Sequence, residues 1–209
     1  MQKNDIVLEA CVETLDQAIL AQSNGAHRIE LCTRLDLGGL TPPKNLILEV
    51  KQYLKIPVMV IIRPVAGGFV YTNDELAQMK EDIEFCKKSG VAGVVLGILN
   101  QQNEIDVEKT KALVTLAQPM LVTFHKAIDE TPDPVRSAQT LMQIPGIQRI
   151  LSSGGAQTAL EGKEVLKKMI SVAEYSIEIL VAGKVTKGNL EEVHQEIGAR
   201  EYHGRRIVY

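Results

Sequence analysis

The 209-residue sequence predicts an α/β protein, a TIM-type (β/α)8 barrel with a closed parallel sheet whose final helix is missing or vestigial. Three observations carry that expectation. Eight short runs of aliphatic and β-branched residues alternate strictly with seven amphipathic segments, and the connections between them are short. Aromatic residues make up only 4% and tryptophan is absent, so Val, Ile, Leu and Ala must fill the core, as in buried parallel strands. An open, doubly wound sheet would use the same alternation, but no G-x-G-x-x-G turn follows the first strand.

In chain order the strands are expected at residues 6–11, 28–32, 58–63, 93–96, 121–125, 149–152, 176–181 and 201–203. Thr14 caps a first helix over 15–23 that Gly25 stops, and Thr41-Pro42-Pro43 opens the second. A third starts at Asn73-Asp74-Glu75 and ends near Gly90, and a fourth covers 106–117. Pro132-Asp133-Pro134 starts a fifth, closed by Pro145-Gly146, and segments 162–173 and 187–197 supply the last two. No linker or low-complexity stretch interrupts the pattern, so residues 1–209 read as one domain. Strand eight ends at His203, leaving no room for an eighth helix. The outer faces of strands one and eight are then expected to be partly uncovered, Ile207-Val208-Tyr209 being too short to hide them, and to be completed by another subunit of a homo-oligomer.

Basic and acidic residues number 23 and 26 and are spread along the chain for a net charge of −3. No polybasic block marks a nucleic-acid or membrane surface, so neither partner is expected. Residues 1–5 are polar and precede only a short apolar run, unlike a signal peptide or a membrane span. Three cysteines cannot all pair, which reads as free thiols in a reducing, cytoplasmic setting. The absence of a G-x-S-x-G elbow, an H-E-x-x-H helix and a P-loop leaves serine hydrolase, zinc protease and NTPase chemistry without support.

Polar residues gather instead at the strand ends, where parallel barrels bind their ligands. Glu9 and Cys11 share a face of strand one, Arg28, Glu30 and Cys32 a face of strand two, and Thr123 and His125 a face of strand five, with Arg63 ending strand three and Glu201 and His203 on strand eight. Two readings stand: internally satisfied ion pairs, or a functional cavity. Cys11 and Cys32, on neighbouring strands, could share a soft ion such as Cu(I) or Zn(II), or could serve as small buried apolar residues. Cys86 reads as a packing residue, and His27 and His194 as surface residues.

The loop Ser152-Ser153-Gly154-Gly155 after strand six and Ala182-Gly183-Lys184 after strand seven offer backbone N–H groups to an anion, or are ordinary tight turns. Loops 38–42 and 67–71 could act as lids on the same rim.

The blocks Glu9-Ala10-Cys11-Val12-Glu13, Gly25-Ala26-His27-Arg28-Ile29-Glu30-Leu31-Cys32 and Gly38-Gly39-Leu40-Thr41-Pro42 resemble the CutC family, known as copper homeostasis proteins. The resemblance continues through Ile62-Arg63-Pro64, Thr123-Phe124-His125-Lys126-Ala127-Ile128-Asp129, Ser153-Gly154-Gly155 and Glu201-Tyr202-His203-Gly204. It implies a TIM-type barrel, a cytoplasmic location, a role in copper handling and Cu(I) ligation by Cys11 and Cys32. The chain departs from the family pattern on two rim loops. It has Arg63-Pro64-Val65-Ala66-Gly67-Gly68-Phe69 where the family reads R-P-R-G-G-D-F, and Val181-Ala182-Gly183-Lys184 in place of P-G-G-G.

Two functions are therefore expected. In the first, Cys11 and Cys32 bind Cu(I), with Glu9, Arg28 and Glu30 tuning the thiols. In the alternative, an enzyme or binder takes a small anionic, phosphate-bearing molecule. Arg63 and the Ser152–Gly155 loop, with Ser153, Gly154 and Gly155, would hold it together with Glu9, Arg28, Lys184 and His203, His125 would act as acid or base, and Glu30 or Asp129 would orient His125.

Overall fold

Eight parallel strands close on themselves in chain order, β1 pairing with both β2 and β8. The computed structural model describes residues 6–174 and 176–209; the polar residues 1–5 and Tyr175 lie outside the described residues. The strands are β1 (Val7–Val12), β2 (Arg28–Leu31), β3 (Val58–Ile61), β4 (Gly93–Leu96), β5 (Leu121–Phe124), β6 (Arg149–Ser152), β7 (Glu178–Val181) and β8 (Glu201–Gly204). The helices that return the chain are α1 (Leu15–Ser23), α2 (Lys44–Tyr53), α3 (Asn73–Ser89), α4 (Val107–Ala117), α5 (Pro134–Met142), α6 (Lys163–Ala173) and α7 (Leu190–Ile197). Among the described residues no helix is long and apolar enough to cross a membrane.

The helix ends follow from local chemistry. Thr14 accepts from the Gln17 N–H to start α1, and Thr72 and Glu75 form a reciprocal capping box at the start of α3. Asp133 caps α5 with Pro134 in its first turn, and Gly90 and Gly198 end α3 and α7 at positive φ. Several boundaries shift by one to three residues from expectation, β3 for example ending at Ile61, and two of the shifts have a local hydrogen-bond cause. Helix α7 begins at Leu190 because Thr186 and Asn189 bond into a turn ahead of it. Strand β7 begins at Glu178 because the Ser176 N–H bonds back to Ala173, closing a turn after α6.

The aliphatic composition is divided between two apolar layers. Outward residues such as Ala10, Val12, Ile29, Leu31, Val60, Val94 and Phe124 pack under the helices. Inside the barrel, Cys11, Cys32, Met59, Ile61 and Val95 form a second cluster, and Leu151, Leu180 and Ala182 a third. The outer faces of β1 and β8 are covered, which corrects the expectation of an open seam. Ala10 and Val12 are small enough to be hidden, Tyr202 lies fully buried with its hydroxyl 2.8 Å from His194 Nδ1, and Ile207 and Val208 join the same layer. His194 is accordingly a half-buried partner of Tyr202 rather than a surface residue.

Candidate functional site

Strand register decides which polar side chains meet. Glu9 lies opposite Arg28 and beside His203, and Cys11 lies opposite Glu30. Because side chains alternate, all of these point into the barrel together. Arg28 donates through Nε to Glu9 and through Nη2 to Glu201 at 2.6 Å, and Arg149 Nε donates to the same Glu201 oxygen at 2.8 Å. The other Glu9 oxygen is 2.8 Å from His203 Nδ1. Burial pushes the Glu9 carboxyl up, but Arg28 and His203 outweigh it and hold it at about 2. Burial likewise opposes charge on His203, and Glu30 and Glu9 overcome it, so its pKa is raised. Glu9, Arg28 and Glu201 thus form a buried ion network, as the first of the two readings expected of Glu9 and Arg28, joined at its edge by Arg149, whose Nη1 is left buried and unpartnered.

The thiols are arranged differently. Cys11 is level with Glu30, so Cys32, just past the end of β2, lies two residues further along and the sulfurs meet diagonally, 3.5 Å apart. Cys11 Sγ donates to Glu30 Oε1 at 3.8 Å, and Cys32 Sγ to the Val12 carbonyl at 3.4 Å. The second Glu30 oxygen is buried with no hydrogen-bond partner. Burial, with Glu9 adding to it, pushes the Glu30 carboxyl up to about 7. The hydrogen bond with Cys32, burial and the neighbouring Glu30 charge push the Cys11 thiol up. Cys11, Glu30 and Cys32 offer ligand atoms within 4.8 Å of one another, and so do Glu9, Glu30 and His203. Cys86 is buried in α3, its thiol pushed up to about 12 by burial, as a packing residue should be.

Beside the thiols is a cavity of about 180 Å³ lined by Cys11, Glu30, Arg63, Phe69, His125 and His203 among others. His125 Nδ1 accepts from the Ala127 N–H at 3.2 Å, which places the ring proton on Nε2, an atom that is buried and unpartnered. Burial, reinforced by Arg63, holds the imidazole at about 3, so it is neutral at ordinary pH. Gly97 makes room for it: a Cβ there would lie 2.4 Å from His125 Nδ1. Neither Glu30 nor Asp129 hydrogen-bonds His125, so the orienting role expected of them is corrected; Phe69, with its ring 4.8 Å away, and the Ala127 N–H position the ring.

Arg63 spans the rim. It donates to the carbonyls of Leu37 and Gly39 at 3.0 and 3.1 Å and of Gly67 at 2.7 Å, while its own N–H bonds Thr41 Oγ1. The two loops expected to move as lids are therefore tied together by one guanidinium, of which only Nε is left buried and unpartnered.

Asp129 occupies the place expected of an external anion. Its carboxylate accepts from Ser152 Oγ, from the Ser153 N–H at 2.9 Å and from the Gly155 N–H at 2.9 Å, and pairs with Lys126 at 2.6 Å. The Gly154 N–H bonds Ser152 Oγ. The loop at Ser153, Gly154 and Gly155 has no donor left for a ligand, which corrects that part of the anion reading. Glycine is needed at 154 for packing, since a Cβ would lie 2.4 Å from the Gly162 carbonyl and φ is +72°. Lys184, also at positive φ, is exposed on a wider groove of about 670 Å³ that reaches from Cys11 and His203 out to Arg205 and Arg206. Sequence reasoning missed Phe69 and Lys126 as site residues; their signals were an aromatic directly after Gly67-Gly68 and a lysine adjoining His125.

Fold and site together define a TIM-type barrel whose interior carries paired thiols beside a carboxyl, at the end where strands deliver their ligands. Residues 6–208 match the CutC family, and the chain belongs to that family. It is 39% identical over 200 residues to the human copper homeostasis protein cutC homolog, covering 96% of this chain and 73% of that one. A crystal structure of a protein described as copper homeostasis protein CutC from Streptococcus agalactiae superposes with a TM-score of 0.91 at 37% identity, over 97% of this chain and 99% of that one. An aldolase designated QR15 shares the fold alone, with a TM-score of 0.72 at 13% identity, covering 100% of this chain and 95% of that one.

Proposed function

We propose that this protein handles copper by holding Cu(I) between Cys11 and Cys32, with Glu30 as the neighbouring acid. The observation that carries the reading is the pair of buried sulfurs 3.5 Å apart, beside a buried carboxylate oxygen that has no partner. Two thiols suit a soft monovalent ion better than a hard one, and the unpartnered oxygen is a group that ligation or proton transfer would satisfy. The Glu9–Arg28–Glu201 network below is held by its own buried ion pairs and serves as a rigid floor. Family membership and the relatives' names agree with this reading. Competition against a chromophoric Cu(I) chelator tests it. One Cu(I) per chain is expected, with binding weakened at least about 100-fold in the Cys11→Ser, Cys32→Ser double variant; an unchanged affinity in that variant would remove the site.

A second reading is favoured by one feature, the unpartnered His125 Nε2–H lining the same cavity as Arg63. In it a small anionic molecule is held by His125 and Arg63. At about 180 Å³ the cavity has space for roughly six waters' volume, so such a molecule would be small.

We also infer that the chain self-associates in the cytoplasm. The support is now the outer surface of two adjacent helices, where Leu20 on α1 and Leu48 and Tyr53 on α2 are half or more exposed.

A further inference from the structure

The outer groove has a composition unlike the rest of the molecule. The chain carries a net charge of −3, yet this groove is lined by Lys126, Lys184, Arg205 and Arg206 together with His203, and by no acidic residue among those described. Lys126 is paired with Asp129, and Arg205 with Glu13 at 3.1 Å. The side chains of Lys184 and Arg206 have no partner among the described residues and are exposed. The inner end of the groove is Cys11, which also lines the inner cavity, so the two spaces meet at the thiol. A cluster of cations at the entrance repels a bare cation and attracts an anion. Copper reaching Cys11 by this route must therefore arrive inside a negatively charged complex. The carrier has to be soft enough to hold Cu(I) and labile enough to surrender it to two thiols, which describes another thiol. A volume of about 670 Å³ lies within the range of small-molecule pockets and suits a carrier of peptide size.

We propose that the groove receives a small anionic thiol, its carboxylates on Lys184 and Arg206 and its sulfur at Cys11, and that this molecule delivers Cu(I) by ligand exchange. The inference rests on the copper reading above. In the exchange the carrier's Cu–S bond breaks and Cu–S bonds to Cys11 and Cys32 form. The two S–H bonds of the protein thiols break; one proton leaves on the carrier's sulfur and the other passes to the Glu30 carboxylate, which already accepts from Cys11. Copper stays Cu(I) throughout, so no oxidant or reductant is required.

The test compares two preformed donors, Cu(I)–glutathione, whose carrier bears two carboxylates, and Cu(I)–2-mercaptoethanol, whose carrier is uncharged. Transfer is followed by the thiolate-to-copper absorbance of the protein in wild type and in the Lys184→Glu, Arg206→Glu variant, both positions being exposed and the melting temperature serving as the check on folding. The expected result is a fall of about 10-fold or more in the transfer rate from glutathione at low salt, with less than about 2-fold change from 2-mercaptoethanol. Equal effects on both donors, or no effect on either, would overturn the groove's role. The copper reading fails separately, by a different result: a Cys11→Ser, Cys32→Ser variant that takes copper from 2-mercaptoethanol as wild type does.

Discussion

Glu30 and Glu9 are one strand step apart on neighbouring strands, yet their chemistry diverges because their partners do. Glu9 is clamped by Arg28 and His203 and held at about 2, whereas Glu30 faces a thiol and an unpartnered void and is pushed up to about 7. An acid whose folded pKa lies above its unfolded value costs stability once the pH exceeds the unfolded value, and the full cost is reached above the folded one. In the metal-free protein Glu30→Gln is therefore expected to be more stable than wild type at pH 8, by about 1–3 kcal/mol, and equal to it below about pH 4. Thermal unfolding at the two pH values checks this; an equal gain at both would mean that ionisation is not the cause. Arg28 gives the opposite case. Arg28→Met leaves Glu9 and Glu201 charged and buried, and should cost about 3–5 kcal/mol in urea unfolding at pH 7. A loss under about 1 kcal/mol would show that the network is not the floor of the site.

At the scale of elements, the site is assembled by register and by glycines that permit close approach. Gly97, at the end of β4, leaves the space in which the His125 ring lies. Gly97→Ala is expected to displace that ring, raising the imidazole pKa toward its ordinary range, measured by NMR titration of the ring protons; an unmoved pKa would place the histidine's support elsewhere. All eight strands and seven helices were legible in the amino-acid pattern, because capping residues and prolines mark the helix starts and aliphatic runs mark the strands. Inward parity placed Glu9, Cys11, Arg28, Glu30 and Cys32 in one interior correctly. What the pattern could not convey is which donor meets which acceptor. Asp129 reads as a neighbour of His125 in sequence, but the 3-10 turn at Lys126–Glu130 turns it toward Ser153 and Gly155. Arg63 likewise reads as a free anion ligand, while three nearby carbonyls take its two terminal nitrogens and leave only Nε unpartnered. Such exchanges depend on backbone groups from distant loops, and no side-chain pattern records them.

For the whole molecule, the expected gap beside the missing eighth helix is closed by small residues, Tyr202 and the buried pair Ile207 and Val208. The apolar surface that remains is on α1 and α2, and association is expected there. Light scattering at about 10 µM should give a species larger than one chain, and Leu20→Glu with Leu48→Glu should return it to a monomer. A monomeric wild type would contradict this, leaving those side chains as ordinary exposed apolar groups. Charge is distributed with similar economy: a mildly acidic chain, a basic groove at the mouth and a buried pair of free thiols inside.

The central claim is that the sulfurs of Cys11 and Cys32 are the copper ligands, and X-ray absorption at the copper edge of the Cu(I)-loaded protein tests it most directly. Two sulfur scatterers in the first shell are expected, both lost in the Cys11→Ser, Cys32→Ser variant. A first shell of nitrogen and oxygen alone, or the same sulfur shell in that variant, would contradict the account.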